Sequence, residues 1–189
     1  MAGVAGPMLR RSKADGSRFL AGLMVGELVS AMLLATALYA LATAVALVVP
    51  AFVREVLLGI LVAAFGVADM RNRTPHVWRQ VPQKYVRSMA PGRLGLVWGL
   101  DLGLLFTTQK STSLLWVGLA AVGLLSPGSA WFVLPAMALI SVIAVVVRSV
   151  YWALPKVVDI SRPWFAPMRR TLGVAQVGLA VVVMVGAWS

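Results

Sequence analysis

Long apolar runs separated by short basic segments set the pattern of this chain. Phe19 to Val49 carries a single charged side chain, Glu27, and Pro50 ends the run. As one straight helix it would reach about 46 Å, against a hydrocarbon core of about 30 Å, so it must tilt, protrude or break. Ala51 to Met70 is a second run, entered past Arg54-Glu55 and left at Asp69. Leu94 to Ser126 is a third apolar region, interrupted by the polar stretch Thr107 to Ser113. After the turn Ser126-Pro127-Gly128, Ser129 to Val147 is a fourth run with Pro135 inside it, and Thr171 to Trp188 is a fifth. Apolar runs of roughly 18 residues or more read as transmembrane helices. The expected fold class is therefore all-α, a polytopic transmembrane helix bundle forming one membrane domain over 1–189.

The polar segments divide that domain. Residues 1–17 are short, polar and basic, with Arg10, Arg11 and Lys13. The run behind them is far too long for a signal-peptide core, so it is expected to stay as a membrane helix. Residues 18–70 then form a first helix pair, 71–93 a basic loop, 94–147 a second helix pair, 148–170 another basic loop and 171–189 a C-terminal helix. In the first loop Thr74-Pro75 resembles a helix start. Val77, Trp78, Val81, Tyr85 and Met89 recur at helical spacing beside basic residues, as in a helix lying on a membrane surface, although Pro82 interrupts it. In the second loop Trp152, Trp164 and three prolines suit an interfacial position.

Charge decides how the third region is read. The chain has 17 Lys+Arg against 6 Asp+Glu, a formal charge of +11, with 60% apolar residues and a mean hydropathy of +0.90. In a soluble domain such an excess would indicate nucleic acid. Here the basic residues flank apolar spans, so membrane topology accounts for them and no nucleic-acid partner is expected. If 107–113 were a loop between two full crossings, the two basic loops would lie on opposite faces. If 94–126 crosses once, the N-terminal segment through Arg18, loop 71–93 and loop 148–170 share a face, and they hold 15 of the 17 basic residues. The positive-inside rule favours the second arrangement. The expectation is five crossings, a cytoplasmic N-terminus, an extracytoplasmic C-terminus and a third helix broken near Thr107–Ser113. The alternative is six helices, two of them short and meeting at that break.

Candidate chemistry follows from polar groups placed among apolar ones. Ionisable side chains within a membrane helix cost a few kcal/mol and need a reason. Glu27 and Asp101 both lie near the cytoplasmic third of the bilayer on this reading, as oxygen ligands for a cation or as proton carriers. Lys110, with Thr107, Thr108 and Gln109, would line a polar cavity at the break. The plainer reading pairs the two acids with loop arginines and lets Lys110 snorkel outward. Gly22 and Gly26 in the first span, and Gly95, Gly99 and Gly103 in the third, permit close helix packing. They also head a faint repeat, Gly22-Leu-Met-Val-Gly26-Glu27 against Gly95-Leu-Val-Trp-Gly99-Leu-Asp101, which suggests two helix pairs in the same orientation.

Other chemistry is excluded by residue type. With no Cys there is no disulfide, thiolate metal site or thiol redox centre. His76 is the sole His, so this chain alone offers no bis-histidine haem. No cofactor or metal is expected. No nucleophile–base arrangement or phosphate loop appears, and the chain is not expected to be an enzyme. Arg54-Glu55 reads as a local interfacial ion pair, Asp69 beside Arg71 as a helix-end residue and Gln176 as a polar contact between helices.

Arg79-Gln80-Val81, Tyr85-Val86-Arg87, Trp98-Gly99, Gly103 and Thr107-Thr108 together resemble a pattern in small uncharacterised membrane proteins of high-GC Gram-positive bacteria. In those a basic loop leads into a glycine-rich helix and a Thr-rich break. A more distant likeness is to the membrane domain of cytochrome-biogenesis-type thiol-disulfide carriers, which use duplicated helices with a broken first member. Their chemistry needs a Cys in each repeat, so it does not carry over. The expected function is transport, as a solute or ion carrier of the inner membrane or as the membrane subunit of a transport complex. The alternative is a non-catalytic accessory or scaffold subunit of an envelope enzyme, respiratory or maturation complex, docking through the basic loops and the glycine faces. The expected partners are the lipid bilayer and other membrane subunits or further copies of the chain.

Overall fold

The computed structural model describes residues 2–71, 73, 83–86, 88–104, 113–153 and 165–187. Among them the chain is all-helical, with seven α-helices and no strand: α1 (Ala2–Arg11), α2 (Lys13–Val48), α3 (Ala51–Met70), α4 (Pro91–Gly103), α5 (Leu114–Leu125), α6 (Ala130–Ala153) and α7 (Phe165–Ala187). Among the described residues, three apolar stretches are long enough to cross a membrane: α2, α3 and 127–147. Their outer surfaces carry large apolar side chains such as Leu33, Leu41, Ile60, Ile140 and Ile143. Much of what is buried is small, including Ala31, Ala35, Ala42, Ala138 and Ala180. That is the inversion expected where lipid replaces water and helices associate through small residues.

Helix ends follow local chemistry. α2 has 36 residues, about 54 Å of helix, and stops before Pro50, whose ring disfavours helical geometry at the preceding residue. Pro91 opens α4 at a position where its missing N–H is harmless. Ser126 accepts from both the amide and the hydroxyl of Ser129, at 3.0 and 2.7 Å, closing the turn into α6. The N-terminal segment, read from sequence only as polar and basic, holds α1. Its Ala5 is fully buried against Phe19, Leu23, Leu94, Trp98 and Leu102. The second basic loop is trimmed from both sides, with α6 continuing to Ala153 and α7 beginning at Phe165. In the first loop, Gln83–Val86 is a 3-10 turn, and the rest of the surface helix expected there falls mostly outside the described residues.

The contacts divide the chain into two compact units: 1–35, 77–108 and 131–159 in one, and 36–76, 109–130 and 160–189 in the other. This partition cuts across the two helix pairs read from the sequence. The first unit combines α1, the first part of α2, α4 and α6 around the core just named, with Val145 of α6 packed against it. The second combines the rest of α2 with α3, α5 and α7 around Leu58, Val62, Val117 and Ala180. Within 94–126 the described residues hold two helices, α4 and α5. At about 20 and 18 Å, α4 and α5 are each shorter than the hydrocarbon core.

Candidate functional site

In the first unit, glycines decide the geometry. A Cβ at Gly95 would overlap the Phe19 carbonyl oxygen, and one at Gly99 would overlap that of Leu23. On the facing helix, a Cβ at Gly22 would overlap Gly92 O and one at Gly26 would overlap Leu96 O. Further along, a Cβ at Gly103 would lie 2.7 Å from Glu27 O and 2.6 Å from Ser30 Cβ. Phe19 thus faces Gly95, Leu23 faces Gly99 and Ser30 faces Gly103, so α2 and α4 run in the same direction, backbone against backbone. All five glycines singled out from the sequence meet in this one crossing.

Ser30, which sequence reasoning missed, fastens it. Its hydroxyl lies 3.0 Å from Gly26 O of its own helix and 2.8 Å from Leu100 O of α4, and the side chain is fully buried. A serine hydroxyl that cannot reach water turns to carbonyls, and here the close approach offers one from each helix. Phe19 and Trp98 meet edge to face with ring centroids 5.7 Å apart.

Glu27 lies in this contact and is only 3% exposed. Its amide nitrogen would be 2.8 Å from a Cβ at Gly99, so its backbone is pressed on the α4 glycine stripe. Asp101 belongs to the same unit and is half-buried. At about 100° per residue it leaves α4 some 200° round from Gly99, on the side away from the glycine stripe. The shared crossing therefore brings both acids into one unit without seating them on the same face of α4. Thr107, Thr108, Gln109 and Lys110, and with them the expected break, lie outside the described residues.

The second unit holds polar contacts that reshape two readings from the sequence. Asp69, at the end of α3, is fully buried. It accepts the Ser113 amide at 2.7 Å and the Ser113 hydroxyl at 2.8 Å, at the start of α5. At the other end of α3, Arg54 donates from Nη1 to the Leu124 carbonyl at 2.7 Å, in the last turn of α5, and not to Glu55. α3 therefore runs antiparallel to α5 and brackets it, with an acid at the positive end of the helix dipole and a base at the negative end. A sequence signal for this existed. An acid in the last turn of a helix opposes its own dipole, which indicates a partner elsewhere, and Ser113 before Leu114 is a preferred helix-capping residue.

α3 also packs antiparallel on α7. A Cβ at Gly66 would lie 2.8 Å from Gly173 O, and one at Gly173 would lie 2.6 Å from Gly66 O. Gln176 sits on this contact at 3% exposure, and its amide finds no hydrogen-bond partner among the described residues. Comparison with protein families, with characterised proteins and with solved structures gave no match.

Proposed function

We propose that this chain is an integral inner-membrane protein of the transport class, moving a small solute or ion itself or acting as the membrane subunit of a transport complex. The burial of Glu27 at the α2–α4 crossing carries the reading. A membrane acid has the cheaper option of lying near the helix ends, where water reaches it. Here the backbone contact with Gly99 and Gly103 fixes Glu27 inside the packed unit that also contains Asp101. Two carboxyls in one unit supply oxygen ligands for a cation or acceptors for a proton. Thr107, Thr108, Gln109 and Lys110 come four to seven positions after the end of α4 in the sequence and are the groups that would extend that polar route.

The test is flux through purified protein reconstituted in vesicles, with proton and alkali-cation gradients as drivers. The Glu27→Gln, Asp101→Asn double variant is expected to lower flux roughly tenfold or more, a barrier change of about 1.4 kcal/mol. Unchanged flux in a variant that remains folded would sink the carrier reading. A scaffold role is the alternative, and partner chains copurifying in fixed ratio would support it. It has one docking route fewer than the sequence offered, because the glycine faces are occupied within the chain.

We further propose five crossings, with the N-terminus cytoplasmic and the C-terminus extracytoplasmic. On the reading that α2 runs outward, α4 is outward because it parallels α2. One interrupted crossing over 94–126 then puts 15 of the 17 basic residues on one face. The parallel, glycine-headed α2 and α4 likewise suit a repeat of same-oriented pairs. Reporter domains fused within 71–93 and within 148–170 are expected to give the same cytoplasmic signal. Opposite signals would refute the five-crossing topology.

A further inference from the structure

A groove of about 470 Å³ opens in the first unit beside the start of α4, within the roughly 300–1,000 Å³ of small-molecule sites. Its walls are mostly apolar, from Met89, Leu96 and Val97, and its polar side chains are Ser88 and Arg93. Gly92 also lines it and differs from the other glycines of α4. A Cβ there would meet Arg18 O at 3.6 Å and Arg18 Cβ at 3.9 Å, which are ordinary contacts. The α2 crossing therefore does not require Gly92 to lack a side chain.

We infer that this groove binds the phosphate headgroup of an anionic phospholipid, with the upper acyl chain along Met89, Leu96 and Val97. The argument rests on the combination of charge and apolar surface. A soluble anion would use Arg93 and leave the apolar walls wet, while a neutral lipid would leave the Arg93 guanidinium without a counter-charge. An anionic lipid satisfies both, and guanidinium groups match phosphate geometry. The groove also stands where a polar segment gives way to an apolar helix, the depth at which headgroups lie. Basic pockets at this depth between membrane helices are known headgroup sites. The inference requires only that the chain sit in a bilayer and is independent of the transport reading.

The full chain, purified in detergent and stripped of lipid, would be given phosphatidylglycerol, phosphatidylcholine or inorganic phosphate in separate samples. Retained lipid is read by native mass spectrometry and stabilisation by thermal unfolding. Phosphatidylglycerol alone is expected to remain bound and to raise the unfolding temperature. Arg93→Gln is expected to weaken retention about fivefold, as the loss of one basic residue near a lipid phosphate does. Gly92→Leu, which adds a side chain at a residue lining the groove, should weaken it as well. Arg10→Gln removes the same charge from an exposed residue that does not line the groove and should leave retention unchanged. Equal retention of phosphatidylcholine, equal stabilisation by inorganic phosphate, or a loss in Arg10→Gln matching that in Arg93→Gln would each overturn the site. Should Gly92→Leu fail to fold, the comparison of Arg93→Gln with Arg10→Gln decides alone.

Discussion

Gly95→Ala is expected to destabilise the protein by roughly 3 kcal/mol or more, the upper end of what one added methyl does in a packed interior. The obstacle is backbone on both sides. The new Cβ would overlap the Phe19 carbonyl oxygen and lie 2.9 Å from the Leu23 nitrogen. No rotamer change relieves a clash with a peptide group, so α2 and α4 must separate along the crossing. Separation would also stretch the Ser30 to Leu100 hydrogen bond and open the Phe19–Trp98 edge contact. Gly118→Ala in α5 is the control, because nothing lies within 4 Å of its Cβ position. It is expected to be neutral or to gain up to about 1 kcal/mol, since Ala is the better helix former. Thermal unfolding of the two purified variants in one detergent checks both. Equal unfolding temperatures would mean that α2 and α4 do not meet through these glycines.

Asp69→Ala carries the second large effect. It removes the acceptors of both the Ser113 amide and the Ser113 hydroxyl in a fully buried setting. Leaving two buried donors without partners costs about 1–3 kcal/mol each, so a loss of about 3 kcal/mol is expected. Asp69→Asn keeps one acceptor oxygen and should fall between the two. The decisive measurement is a double-mutant cycle with Ser113→Ala. In the Asp69→Ala background the second change should cost little, because the hydroxyl has already lost its acceptor. Strict additivity, or a loss for Asp69→Ala within about 0.5 kcal/mol, would show that α3 does not hold the start of α5.

The helices were legible wherever one local rule governed them. Continuous apolar runs marked α2, α3, α6 and α7, and Pro50 marked the end of α2. α1 was not legible, because it is short and its burial rests on Ala5 joining a core with Phe19, Leu94 and Trp98, residues distant in the sequence. The glycine spacing pointed to tight packing but could not name the partner helix or the direction. Ser30 was hidden for the same reason, since a serine in an apolar helix looks alike whether it bonds only to its own turn or also to a neighbour.

The sequence by itself determined the all-helical character, the length of the spans, the placing of basic residues between them and the chemistry ruled out by missing cysteine. Each of these depends on residue type or on neighbours close along the chain. Only the tertiary structure decided that α2 and α4 run parallel in backbone contact, that Glu27 lies within that contact, and that Asp69 and Arg54 bracket α5 from its two ends. These depend on which helix faces which. In an apolar environment most outward faces are alike, so the choice rests on a few glycines and hydrogen bonds whose partners lie 70 positions away for Ser30 and Arg54 and 44 for Asp69.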